Sequence, residues 1–203
     1  MRIVIIDYGM GNIKSITSAL KYLGVNKIIV SSSEEEIRSA DKLILPGVGS
    51  FSQAMQNIKK LGLDTILNKA VLEEKKPILG ICLGMQLMCS SSEENGFNKG
   101  LAFISGKVQK FKEDSLKVPH VGFNQVNSNK NSKLYKDLDN LSDFYFTHSY
   151  RLTSDAAINQ ATCTYIDEFI VSYEFKNITG VQFHPELSQI NGLKLLDNFI
   201  KNF

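Results

Sequence analysis

The chain has 203 residues, 43% hydrophobic and 22% charged, the make-up of a folded water-soluble domain and not of a disordered tail or a fibrous repeat. Its 23 basic and 21 acidic residues leave a net charge of +2 with no basic run, which argues against nucleic acid and anionic membranes as partners. Three cysteines without C-x-x-C spacing argue against a disulfide framework or a zinc knuckle, and "MRIVIIDYG" is too short an apolar start for a signal peptide or span, so a cytoplasmic location is the expectation.

In chain order, "RIVII" (2–6) reads as a buried strand leading into "GNIKSITSALKYLG", where Ile13, Ile16, Leu20 and Leu23 recur at helical spacing. "KIIV" (27–30) is a second strand, followed by Ser33 and Glu36 in the spacing of a capping box that opens a short helix. "KLIL" (42–45) is a third strand, stopped by "PGVGS"; helical patterns follow over 51–75. "PILGI" (77–81) is a fourth strand and "LGMQLMCSS" the next helix, with Cys89 packing two turns beyond Cys82. Strands alternating with helices imply a mainly parallel sheet covered on both faces.

The second half changes character. β-like segments recur near 101–111, 118–126, 143–150, 160–166, 169–175 and 178–183, and Cys163 reads as strand packing. Phe144, Tyr145 and Phe146 read as core, and "NSNKNSKLYKD" as a mobile loop. The closing "NGLKLLDNFIKNF" places Leu193, Leu196, Ile200 and Phe203 on one apolar stripe. With no internal repeat and no linker, residues 1–203 are expected to form one α/β domain with an antiparallel or mixed extension.

The chemistry concentrates in "PILGICLGMQLM". Gly80-Ile81-Cys82-Leu83-Gly84 has the form of a nucleophile elbow, where a strand turns at once into a helix and any side chain at the glycines would collide with its neighbours. Cys82 then sits at the positive helix end, which favours thiolate, and the Leu83 N–H points toward an oxyanion. A lone cysteine in an apolar run is more often a buried hydrophobe; "GVQFHPELS" (180–188) changes that balance. It delivers His184 from a strand with Glu186 at i+2, on the same side in extended chain, so a carboxylate can orient the base a cysteine needs. Pro185 marks a strand end. "LPGVGSF" (45–51) adds a turn at the carboxyl edge of the sheet, where the Gly47–Gly49 segment offers a second oxyanion donor. "DYGMGN" (7–12) looks like a dinucleotide fingerprint but puts Lys14 at the third glycine position, which argues against it. His120 reads as a loop or interface residue, and His148 as a pocket residue acting through its backbone.

Together "PGVGSF", "GICLGMQ", "HSY" and "QFHPE" resemble the class I, triad-type glutamine amidotransferases, nearly end to end. "IDYGMGN", "VPH-G-N" and "FHPE-SQ" narrow the resemblance to the glutaminase subunits of imidazole glycerol phosphate synthases, in histidine biosynthesis. The resemblance implies a flavodoxin-like fold, hydrolysis of glutamine to glutamate and ammonia, and a partner (β/α)₈-barrel cyclase in a heterodimer. It implies no metal or organic cofactor. Position by position it makes Cys82 the nucleophile, His184 the base and acid, and Glu186 its orienting partner. It places glutamine on Gly49, Gln86, His148, Ser149 and Tyr150. The oxyanion loop falls on Pro46 to Gly49, so that the N–H groups of Val48 and Gly49 join that of Leu83. Asn12, Lys14, Phe123 and Leu187 fall toward the cyclase.

Two positions depart from that pattern: Phe123 stands where the family has tryptophan, and Leu187 where it has lysine. Both changes touch the docking set and leave the triad intact, which opens an alternative: a paralogue that feeds ammonia to a synthase making an amidino sugar for a surface polysaccharide. An unrelated cysteine peptidase would also pair Cys with His but leaves "PGVG" and "HSY" unexplained. A binding subunit with a relic triad is the remaining reading.

Overall fold

The computed structural model describes residues 1–112 and 116–203. Strand β1 (Arg2–Ile6) lies between β2 (Lys27–Ser31) and β3 (Lys42–Leu45), parallel to both, with Ile5 level with Val30 on one side and Ile44 on the other. Beyond β3 come β4 (Ile78–Ile81) and then β13 (Ile178–Val181), again parallel. The period-2 alternation of β1 sorts its side chains: Val4 and Ile6 join one core, Ile3 and Ile5 the other, all fully buried. Burial of each such isoleucine contributes about 2 kcal/mol. One face carries α2 (Glu34–Arg38), α3 (Phe51–Lys60) and α4 (Leu63–Asn68) through Ile37, Phe51, Ala54, Ile58, Leu63 and Leu67. The opposite face carries α1 (Ile13–Tyr22) and the terminal α6 (Gln189–Asn202) through Ile16, Leu20, Leu195 and Phe199.

The second half extends this sheet antiparallel to β13. Between α5 (Leu83–Leu87) and β13 the chain makes β5 (Cys89–Ser92), β6 (Asn98–Lys99), β7 (Ile104–Lys110), β8 (His120–Val126), β9 (Ser142–His148), β10 (Tyr150–Thr153), β11 (Asn159–Thr164) and β12 (Glu168–Phe175). The eleven-stranded order is β2-β1-β3-β4-β13-β12-β10-β7-β5-β6, with β11 on β12; β8 and β9 form a separate antiparallel ladder. The expected flavodoxin-like parallel sheet with a mixed extension is what forms.

Several local expectations are corrected. The helix after Cys82 ends at Leu87, because the carbonyls of Leu87, Met88 and Cys89 accept the N–H groups of Leu101, Ile104 and Ala102 at 2.8–3.0 Å. Cys89 therefore packs in strand β5, where burial pushes its thiol up to about 12. Ser33 is the N-cap residue of α2 but makes no side-chain cap bond; the Glu36 carboxylate pairs with Arg2 instead. Tyr145 is only half-buried, since on β9 it alternates with the buried Phe144 and Phe146 and packs on Phe123. The α6 stripe centres on Leu195, Leu196 and Phe199, with Leu193, Ile200 and Phe203 at its half-buried margin.

Part of the segment expected to be mobile, Lys133 to Lys136, is tied to the rest of the fold. Glu174 accepts from the backbone N–H groups of Lys133 and Leu134 at 3.1 Å, and Leu134 and Tyr135 are buried. Asn198, only 3% exposed on α6, donates to the carbonyls of Leu134 (2.8 Å) and Lys136 (2.7 Å). Asn198→Ala leaves both carbonyls without that donor and is expected to cost about 2 kcal/mol. Urea unfolding measures it; an unchanged midpoint would show that Asn198 holds nothing.

Candidate active site

Three loops meet at the carboxyl edge of β3, β4 and β13. Cys82 follows β4 and takes φ 53°, ψ −110°, a conformation that side chains avoid and that a sharp strand-to-helix turn imposes. Its own N–H is anchored on the carbonyl of Val181 at 2.8 Å. A Cβ on Gly80 would fall 2.7 Å from the Met85 nitrogen, and one on Gly47 would fall 2.7 Å from both the Gly84 nitrogen and Leu83 Cβ. These glycines let the elbow and the 46–49 loop close against each other. "DYGMGN" serves the same end, for Tyr8 Oη donates to the Pro46 carbonyl at 2.7 Å.

His184 leaves β13 in extended geometry, its N–H on the Tyr145 carbonyl at 2.9 Å. Glu186 does not reach it along a strand, as the i+2 argument expects. A single 3₁₀ turn, Pro185–Leu187, folds the carboxylate back, so that His184 Nδ1 lies 2.9 Å from Glu186 Oε1. Asn12 Nδ2 donates to the same oxygen at 3.2 Å, so Asn12 braces Glu186 as well as lying near the surface. The Glu186 side chain is wholly buried and its Oε2 has no partner among the described residues. The other ring nitrogen, Nε2, is buried without a hydrogen bond of good geometry, yet the Cys82 sulfur acts on its proton affinity. Burial opposes charge on His184, but Cys82 and Glu186 together outweigh it and raise the imidazole to about 10. An imidazolium held between a sulfur and a carboxylate is the arrangement of a thiolate nucleophile with its proton donor.

Cys82 and His184 open on a cavity of about 290 Å³. Its walls include Val48, Gly49, Leu83, Gln86, His148, Ser149 and Tyr150, so every oxyanion and substrate residue expected from sequence comes to one place. Glu94, Pro119 and Thr147 line it as well and were not anticipated. Glu94 carries no motif; its Oε2 accepts the Phe51 N–H at 2.6 Å. His148 is neutral, pushed down to about 3 mainly by burial, in keeping with a residue that does not titrate there. His120 is corrected: it lies in β8, 2% exposed, with Nδ1 3.0 Å from His148 Nε2. Lys14, Phe123 and Leu187 remain exposed, Phe123 by 50% and Leu187 by 42%. Among the described residues no cluster of three or more His, Cys, Asp or Glu side chains is placed to hold a metal, and no helix is long and apolar enough to cross a membrane.

The family model for class-I glutamine amidotransferases matches residues 4–203. Imidazole glycerol phosphate synthase subunit HisH 2 of Methanococcus maripaludis is 50% identical over 201 residues, covering 98% of each chain. Subunit HisH 1 of Campylobacter jejuni is 46% identical over 200 residues, 98% of this chain and 99% of that one. Subunit HisH of Aquifex aeolicus is 42% identical over 200 residues, 98% and 96%. Among solved structures, a candidate GMP synthase component of Thermoplasma acidophilum superposes with a TM-score of 0.74 at 22% identity, over 98% of this chain and 92% of that one. The glutaminase domain of Trypanosoma brucei CTPS, with bound acivicin, gives 0.69 at 17%, over 99% and 94%. The structures attest the fold alone; the family model and the full-length relatives establish that the chain belongs to the class I glutamine amidotransferases.

Proposed function

We propose that this chain is the glutaminase subunit of an imidazole glycerol phosphate synthase, with Cys82, His184 and Glu186 as its triad. The observation that carries the chemistry is the buried line from Glu186 through His184 to Cys82 at the mouth of one cavity. The Cys82 thiolate attacks the side-chain amide carbon of glutamine. The N–H groups of Leu83, Val48 and Gly49 receive the tetrahedral oxyanion. Protonated His184 gives its Nε2 proton to the departing nitrogen, and ammonia leaves with a γ-glutamyl thioester behind it. His184, now neutral, takes a proton from water, whose oxygen attacks the thioester, and glutamate leaves as thiolate and imidazolium return.

The walls suit a short zwitterion. With Oε2 of Glu94 on the Phe51 N–H, its other oxygen, without a partner among the described residues, is left to accept the α-ammonium of glutamine. Gln86, Ser149 and Tyr150 supply polar groups around the amide, and no organic cofactor is needed.

The names of the relatives favour a histidine-pathway partner over the amidino-sugar alternative. The surface offers room for a barrel-shaped partner. Phe123 packs on Tyr145 with ring centres 5.5 Å apart; the Tyr145 carbonyl accepts the His184 N–H and its own N–H donates to Ser188 Oγ, which brings exposed Phe123 near exposed Leu187. Val121 and Ile190, 57% and 78% exposed, add apolar area to β8 and to the start of α6, and Lys14 a charge. On this reading the enzyme works in the cytoplasm, as a heterodimer with its cyclase. The test is glutamine turnover by the purified chain alone, with the cyclase of an imidazole glycerol phosphate synthase, and with an amidino-sugar synthase. A rise of at least about tenfold with the cyclase alone is expected, the size of effect a coupling of about 1–3 kcal/mol produces. A rise only with the sugar synthase would overturn the pathway, and strong turnover by the isolated chain would show that the partner is not needed to switch it on.

A further inference from the structure

Gln182 belongs neither to the triad nor to the cavity wall, yet it touches both. It follows β13, is wholly buried, and holds two contacts: Oε1 lies 2.9 Å from Gln86 Nε2, and Nε2 lies 3.6 Å from Cys82 Sγ. The direction of each bond is dictated by neighbours that have no choice. The Tyr150 carbonyl can only accept, and it takes Gln86 Nε2 at 3.1 Å and His148 Nδ1 at 2.8 Å. Gln86 therefore directs its amide nitrogen inward, one proton to Tyr150 and one to Gln182. Gln182 must then turn its carbonyl to Gln86 and its N–H to the sulfur.

The far end of the chain of bonds is equally constrained. His148, donating from Nδ1, leaves Nε2 as an acceptor, which His120 Nδ1 fills at 3.0 Å. His120 Nε2 in turn accepts from Asn124 Nδ2 at 3.3 Å, and Asn124 also donates to the Thr164 carbonyl at 3.1 Å. A proton added to His148 would set donor against donor at the 3.0 Å contact, so the pair stays neutral and the bonds keep one direction. One consequence reaches the substrate: Oε1 of Gln86 has no partner among the described residues, and Gln86 lines the cavity, so an acceptor faces the bound amide.

We propose that Gln182 is a positioning residue of the glutaminase: it donates to the Cys82 sulfur, favouring thiolate, and locks Gln86 with its acceptor toward the substrate. An N–H strengthens its bond when the sulfur is charged, so the contact favours thiolate over thiol. This inference rests on the glutaminase reading above. The variants are Gln182→Met, which keeps bulk without a donor, and Gln182→Glu, whose carboxyl can donate only while protonated. Each is compared with the wild-type chain, in complex with the cyclase, for kcat and KM, and for Cys82 alkylation by iodoacetamide against pH, read by mass spectrometry of the Cys82 peptide.

Gln182→Met is expected to lower kcat about tenfold or more, to raise KM, and to move Cys82 alkylation to higher pH. Gln182→Glu is expected to lose activity as pH rises through a range where the wild type holds steady. Wild-type kcat and an unmoved alkylation profile in a folded Gln182→Met protein would overturn the proposal. Should that variant fail to fold, a Gln182→Glu profile superimposing on the wild type would do the same. Absence of turnover by the wild-type complex would instead sink the glutaminase reading, while the alkylation comparison would still report on the sulfur contact.

Discussion

Cys82→Ser is expected to reduce glutamine turnover by at least about a thousandfold, a loss of about 4 kcal/mol of transition-state stabilisation. A hydroxyl at this position is a far poorer anion than a thiolate, and His184, held protonated to about 10, is an acid here before it is a base. Removal of the sulfur altogether separates chemistry from architecture. Cys82 is 6% exposed and small, so Cys82→Ala should fold with the cavity walls in place. Only glycine adopts the backbone at φ 53°, ψ −110° without strain, so Cys82→Gly should be more stable than Cys82→Ala by about 1 kcal/mol or more. Thermal unfolding of the two variants checks this. If alanine proved the more stable, the elbow would not be strained, and the sharp turn that lifts the sulfur to the cavity would need another cause. Residual ammonia production near the wild-type level in Cys82→Ser would end the triad reading outright.

The parts of this site differ in how far sequence alone could show them. The elbow was legible because two constraints coincide in five residues: a nucleophile, and glycines that backbone contacts demand on both sides. His184 and Glu186 were legible as a pair, but not the way they meet, since a 3₁₀ turn and an extended strand can both bring i and i+2 together. The alternation of strands and helices foretold the parallel sheet because apolar runs such as "RIVII" bury on both faces. The short α5 was not legible: "LGMQLMCSS" keeps a helical pattern, and only the 100–104 segment, capturing the carbonyls of Leu87 to Cys89, stops it. Glu94 and Gln182 were missed for a related reason. Glu94 meets the Phe51 N–H that opens α3, and Gln182, although it begins the quoted "QFHPE", meets Cys82 and Gln86 far upstream, so their roles rest on contacts between segments distant in the chain. The ties on Lys133 to Lys136 were not legible, because polar composition says nothing of Asn198 and Glu174, which hold them from elsewhere in the fold.

Glu186→Gln is expected to lower kcat about a hundredfold while leaving KM for glutamine nearly unchanged. Glu186 stands behind His184 and does not line the cavity, so ground-state binding has little reason to feel it. Glutamine keeps the shape and can still accept from His184 Nδ1 and from Asn12, so the ring keeps its orientation; what goes is the charge. The sign of the pH effect follows from the direction of the shift. Burial alone would lower the imidazole, but Cys82 and then Glu186 lift it from 6.5 to about 10, above its unfolded value. The contribution of His184 to stability is therefore complete below about pH 6.5 and is lost as pH climbs toward 10. Without the Glu186 charge the imidazolium gives up its proton earlier, so the alkaline limb of kcat moves to lower pH. Cys82→Ala should lower the His184 value as well, because the sulfur is the other support. Nuclear magnetic resonance titration of the His184 ring in the three proteins measures both effects directly. A ring that titrates near its ordinary value in the wild type would show that sulfur and carboxylate do not hold its proton, and a Glu186→Gln variant that loses KM and keeps kcat would show that the carboxylate serves binding and not proton transfer.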